Sequence, residues 1–325
     1  MREIIKTIKY FDLQDHCLTL VEISKYFLRD NDCGASAGAP AGSAAHADSA
    51  AVAGSAAHVS SAAHADSTAP AGPAAGAEIP LSEILNFLET SPEISTEYGF
   101  YFLKGREDLA RQRLENNFFA AKRFKRAKKY LPFLRHMPFI RGAALSGSEA
   151  MGNSRPDSDI DLFILAKKNR VWLARLFATA YFQILGMRRH GKKISDRFCL
   201  NHYVGEGKYL DKDQNLYTAV EYVSLIPYFG GRAIFEFQKR NIGWIRNYLR
   251  QPHICYCETA EHSIFQKIFE FLLGGFIGSA LERLARFFEK ARIRSLPGII
   301  IEEDELSFHP QSKGQQVLRR FAGES

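Results

Sequence analysis

Residues 145–165 read LSGSEAMGNSRPDSDIDLFIL. In the run Asp-Ile-Asp-Leu-Phe-Ile, Asp159 and Asp161 are two apart. Strand alternation puts both carboxylates on one face and Ile160, Leu162 and Ile164 on the other. Two carboxylates side by side at an open strand surface repel each other, and a hard divalent cation between them removes that repulsion. Upstream, Gly147 and Ser148 follow the apolar Ala143, Ala144 and Leu145 and precede Glu149-Ala150-Met151-Gly152. Glycine lets the backbone approach closely, and free N–H groups at the start of a short helix hold phosphate oxygens beside the Ser148 hydroxyl. An anion cradle followed by a metal-binding carboxylate pair is what phosphoryl chemistry on a nucleoside triphosphate requires.

Downstream, RVWLARLFATAYFQIL (170–185) has a helical pattern. A basic turn, Arg188–Lys193, leads to a strand pattern over Ile194–Val204. Alternation there puts Asp196 with Ile194, Phe198, Leu200 and Val204, and leaves Ser195, Arg197, Cys199, Asn201 and Tyr203 on the other face.

An apolar strand, Gly-Ser, a turn and then Ser-Asp-Ile-Asp-Leu closely resemble the signature of the nucleotidyltransferase superfamily with the DNA-polymerase-beta type of catalytic domain. Gly147, Ser148, Gly152, Arg155, Ser158, Asp159 and Asp161 match that motif, and the likeness covers residues 130–205. The resemblance implies an α+β fold, a small mixed sheet flanked by helices. It also implies Mg²⁺ or Mn²⁺ on Asp159 and Asp161, with a nucleoside triphosphate, ATP first among them, held by Gly147, Ser148, Ser158 and Arg155. A nucleoside monophosphate would pass to an acceptor hydroxyl of a small molecule, protein or RNA, with release of pyrophosphate. A third carboxylate on a neighbouring strand is implied as well. Two readings stay open for it: Asp196 reaches the metals from the strand entry, or Asn201 stands in the acid's place, where an amide cannot act as a base. The second would make the chain a weak enzyme or a nucleotide sensor without turnover.

Toward the N-terminus, Ile4–Phe11, Leu18–Leu28 and Leu81–Leu88 carry helical patterns, with Thr19 and Glu22 spaced to cap the second. Tyr98–Lys104 reads as one arm of a ribbon. Residues 1–105 therefore resemble a winged-helix module. It is interrupted at 34–77 by an Ala/Gly/Ser/Pro segment with near-repeats SAAHADS, expected to be a flexible insertion. Its His46, His58 and His64 read as copied with the repeat. The third helix carries Glu83 and Glu89 and no Lys or Arg, which argues against DNA in a groove. In the linking helix 106–130, Lys122, Arg123, Lys125, Arg126, Lys128 and Lys129 read either as a solvated face or as a site for a phosphate-rich partner. Nucleic-acid binding through this helix and the N-terminal module is a third functional reading.

Residues 206–325 are expected to be mostly helical, with patterns over 215–229 and 234–249 and a late strand at 299–301. Tyr217, Tyr222 and Trp244 are read as core before base-stacking groups. His253, Cys255, Cys257 and His262 have the wrong spacing for a structural zinc site. Residues 268–280 form an apolar run too short to cross a bilayer, followed by a basic amphipathic stretch. A buried helix or homodimer contact is the first reading of 268–294, and peripheral membrane contact the second. The chain of 325 residues is 46% hydrophobic with a formal net charge of +7, which excludes wholesale disorder. Its five Cys are too scattered for a disulfide scaffold. With Arg2, Glu3, Lys6 and Lys9 among the first ten residues, no secretory leader is read, and the expected location is cytoplasmic.

Overall fold

A computed structural model describes residues 2–29, 78–260, 262–293, 300–308 and 312–323; the side chain of Asn201 lies outside that description. The insertion at 34–77, with its three His, is outside it too.

The chain begins with α1 (Arg2–Asp12), β1 (Leu18–Thr19), α2 (Leu20–Lys25), α3 (Leu81–Thr90), β2 (Ile94–Glu97) and β3 (Phe100–Leu103). The three strands form an antiparallel sheet in the order β1-β3-β2. Thr19 and Glu22 cap α2 reciprocally: Thr19 Oγ1 accepts from the Glu22 N–H at 3.3 Å, and Glu22 Oε2 accepts from the Thr19 N–H at 2.8 Å. The helix is shorter than the pattern over 18–28 suggests, because Leu18 and Thr19 pair with Tyr101 and Phe100.

The helix α4 (Asp108–Tyr130) and a 3-10 helix (Leu131–His136) lead into β4 (Ile140–Leu145), the one-turn α5 (Gly147–Ala150), β5 (Ile160–Ala166), α6 (Val171–Ile184) and β6 (Phe198–Gly205). Then come α7 (Leu216–Val223), β7 (Ile226–Phe229), α8 (Gly231–Ile245), α9 (Ile264–Leu272), α10 (Gly275–Ile293), β8 (Ile300–Ile301), β9 (Glu305–Ser307) and α11 (Ser312–Ala322). The second sheet has six strands in the order β7-β4-β5-β6-β9-β8 and is mixed, parallel only between β5 and β6.

Two sequence expectations are corrected here. Residues 215–229 are not one helix: after α7 the chain turns and Ile226–Phe229 pairs with β4. Pro227 is tolerated because β7 is the edge of the sheet. The region after residue 205 is not merely helical either, since β7, β8 and β9 all join the sheet.

Alternation along β5 sends its side chains into two layers. Ile160, Leu162 and Ile164 pack with Trp172, Phe182 and Ala285 from α6 and α10. Phe163 and Leu165 face the other way, into a core shared with α7, α8 and the N-terminal helices through Phe11, Ile23 and Ile84. The N-terminal module and the sheet therefore share one core across the boundary expected at residue 105. Among the described residues no single helix is long and apolar enough to cross a membrane.

Candidate functional site

The site lies where β4 ends and β5 begins. The chain leaves β4 through Ser146, whose N–H donates to the Asp161 carbonyl at 3.1 Å, and turns at Gly147 with φ +63°. Glycine suits that turn. Its backbone is left-handed, and a Cβ there would stand 2.9 Å from Asp161 Oδ2. The turn thus lies directly against the second carboxylate of the pair.

Asp159 and Asp161 are half-buried beside the buried Cys199, and one ligand atom from each falls within 4.8 Å of the others. Among the described residues this is the only group of three or more such side chains placed to hold a metal ion. Carboxylate oxygens are hard donors that suit Mg²⁺ or Mn²⁺, whereas a thiol is soft. Burial, and then the charges of Asp161 and Asp159, push the Cys199 thiol well above its usual range. Cys199 is thus the soft donor of the three, and the two aspartates are the residues that fit a hard cation. Arg189 completes the rim: its Nη1 donates to Asp159 Oδ2 at 2.6 Å and to Cys199 Sγ at 3.4 Å.

Behind the pair sits Glu149, fully buried. Burial, with the Asp161 charge adding to it, pushes its carboxyl above the ordinary carboxylate range. Ser154 Oγ donates to Glu149 Oε1 at 3.1 Å and Ser148 Oγ to Oε2 at 3.4 Å. The buried acid thereby orients the Ser148 hydroxyl at the turn.

The other sequence candidates have different places. Ser158 Oγ accepts the Arg155 N–H at 3.1 Å and tightens the loop before β5. The Arg155 side chain pairs with Asp15 at 3.1 Å, tying that loop to the N-terminal module. Asp196 is not grouped with the aspartate pair. It sits before β6 in a left-handed conformation (φ +59°), 3.0 Å from both Lys122 Nζ and Arg123 Nε. Burial opposes its ionisation. The hydrogen bond from Lys122 and the charges of Arg123, Lys122 and Arg126 outweigh that and hold its carboxyl below the usual range. Half of the basic run on α4 is thus turned onto this loop: Arg123 Nη1 and Nη2 also donate to the Arg155 and Pro156 carbonyls at 2.7 and 3.0 Å, and Arg126 Nη1 to the Asp196 carbonyl at 2.6 Å.

On β6 the expected alternation fails because of a bulge. Cys199 pairs with Asp161, but His202, not Asn201, pairs with Phe163. The extra residue reverses the faces, so Val204 joins the Phe163 layer and Tyr203 the Ile164 layer. Among the described side chains of β6, the one grouped with the aspartates is Cys199. The Asn201 side chain lies outside the described residues. Tyr222 and Trp244 are core, with Trp244 Nε1 donating to Asn241 at 3.0 Å; Tyr217 is half-buried, and burial, then the charges of Glu221 and Asp161, raise its phenol. Cys255 and Cys257 are exposed on irregular chain.

Three residues of this site were not singled out from sequence. Glu149 was in plain view next to Ser148, but nothing local shows that it points inward. Cys199 had appeared on the open face of its strand, and Arg189 only as part of a basic turn. Comparisons with models of known protein families, with curated proteins and with solved structures find no match.

Proposed function

We propose that the chain is a divalent-cation-dependent nucleotidyltransferase with the polymerase-beta type of catalytic domain, preceded by a winged-helix-like module. The observation that carries this reading is the close approach of the glycine turn to the carboxylate pair, where a Cβ on Gly147 would stand 2.9 Å from Asp161 Oδ2. A triphosphate seated on the turn would lie directly beside Asp159 and Asp161. Mg²⁺ or Mn²⁺ held by these two aspartates would neutralise the triphosphate and polarise its α-phosphorus. Gly147 gives the phosphates access to backbone N–H groups, and Ser148, oriented by Glu149, offers a hydroxyl to the same oxygens. Arg189 stands at the rim, where its guanidinium exchanges Asp159 for a phosphate oxygen when the nucleotide enters. An acceptor hydroxyl would then attack the α-phosphorus in line and give its proton to water, while the bond from the α-phosphorus to the bridging oxygen breaks and pyrophosphate leaves.

The test is incubation of the folded protein with labelled ATP, CTP, GTP and UTP, Mg²⁺ or Mn²⁺, and fractionated cell extract. Label should move to an acceptor with pyrophosphate release, and Asp159→Asn or Asp161→Asn should abolish both. Absence of label and pyrophosphate with every nucleotide would refute turnover.

Cys199 favours a second reading. Among the described residues, the neighbour that β6 offers is a thiol, not a third carboxylate, so the site lacks the carboxylate base that the resemblance implies. A nucleotide sensor that binds without transfer fits this. It predicts a rise in Tm that needs both ATP and Mg²⁺, is lost in Asp161→Asn, and comes with no chemistry.

A further inference from the structure

We infer that α9 and α10 form a docking surface for an anionic lipid bilayer, lying in its interface. No part of this depends on the nucleotide site. Neither helix is long and apolar enough to cross a bilayer alone, and the two are bent by 88° across Leu273-Gly274, a geometry that lets both lie in one plane. Their outward side is strongly apolar: Phe265, Phe269, Phe271, Phe276, Phe287 and Phe288 are exposed, Phe271 by 87% and Phe276 by 81%. Phenylalanine left this open on two consecutive helices marks a surface that is covered by something.

Charge says what covers it. The pair carries three carboxylates, and each is turned onto the protein. Glu270 grips Arg141 through two hydrogen bonds of 2.7 and 2.8 Å. Glu282 accepts the Trp172 and Leu173 N–H groups, both at 2.9 Å, at the start of α6. Glu289 is paired with Arg175. Lys267 and Arg283, by contrast, are exposed among the aromatics. The outward face of the two helices is therefore apolar with Lys267 and Arg283 open on it, and at its margin Arg286 of α10 pairs with the exposed Glu303 at 3.9 Å. A second copy of the chain is a poor match, since a two-fold contact would bring this basic face against itself. Anionic headgroups match it, with the phenylalanines entering the acyl boundary and the cations reaching phosphates. An open apolar cavity of about 430 Å³, lined by Phe133, His136, Met137, Phe177, Phe265 and Phe269, adjoins α9 and extends the apolar surface.

Co-sedimentation of the full chain with vesicles tests this. One set is phosphatidylcholine alone and the other is equal parts phosphatidylcholine and phosphatidylglycerol. Wild type should bind the mixed vesicles, and bind the neutral ones more weakly. The double substitution Phe271→Glu and Phe276→Glu, at positions too exposed to support folding, should lower the partition about tenfold at unchanged Tm. Lys267→Glu with Arg283→Glu should erase the preference for anionic vesicles and supplies the test if the first variant unfolds. Wild type left in the supernatant with both vesicle types overturns the inference. So does a stable dimer, seen by light scattering, that dissociates in the phenylalanine variant while wild type fails to bind vesicles.

Discussion

Gly147 meets two constraints at once, a left-handed backbone and a carboxylate oxygen 2.9 Å from where a Cβ would stand. Gly147→Ala should lower stability by about 1 kcal/mol from the backbone alone and displace Asp161 as well. A thermal melt with and without ATP and Mg²⁺ checks both: Tm falls, and the nucleotide-dependent rise disappears. Asp196 makes the opposite kind of prediction. Its left-handed backbone suits Asn as well as Asp, so Asp196→Asn removes charge without backbone strain. Because its partners are Lys122 and Arg123, the variant should lose about 1–3 kcal/mol of stability and keep its affinity for Mn²⁺, measured by calorimetry. Loss of Mn²⁺ affinity at unchanged stability would instead make Asp196 a ligand.

The helix α4 works as a clamp. Arg123 is buried and gathers Arg155, Pro156 and Asp196 from either side of β5, so the loop that presents Asp159 is held from behind. Arg123→Ala should cost about 3 kcal/mol, since it strands two carbonyls and a partly buried carboxylate, and urea unfolding reads it directly. At this scale the limits of the sequence become clear. The pattern over 159–164 was legible because β5 is a central strand with unbroken alternation. The faces of β6 were not, because one extra residue between Cys199 and His202 leaves no mark in composition or periodicity. Ile226–Phe229 was hidden by its helical neighbour and its proline, and only the partner β4 makes it a strand. The basic run on α4 showed its charge but not its direction, which depends on a loop more than thirty residues away.

At the scale of the molecule, Glu305 joins the sheet to the chain beyond it. It lies on β9, opposite Val204, and is almost fully buried with Lys208 Nζ at 3.9 Å. Burial pushes its carboxyl from 4.5 up to about 7 against the pull of Lys208. The folded form thus holds a proton that the unfolded chain releases near pH 4.5. The stability this contributes is full below pH 4.5 and is lost as pH rises through 7. Glu305→Gln should flatten that part of the profile and stabilise the protein above pH 7 by up to about 3 kcal/mol. Urea unfolding at pH 5 and pH 8 measures it, and equal slopes for variant and wild type would refute it.

The short hairpin of β8 and β9 has a consequence for synthesis. It covers the free edge of β6, the strand that carries Cys199 beside the aspartates, and it comes from residues 300–307. As the chain leaves the ribosome, β4, β5 and β6 emerge well before the segment that closes their outer edge. Until then β6 offers unpaired N–H and C=O groups to any passing strand. A polypeptide halted before residue 300 keeps its aspartate pair and has lost its edge protection. Such fragments should enter inclusion bodies while the full chain stays dispersed, and supplying residues 300–308 as a separate peptide during refolding should recover part of the loss.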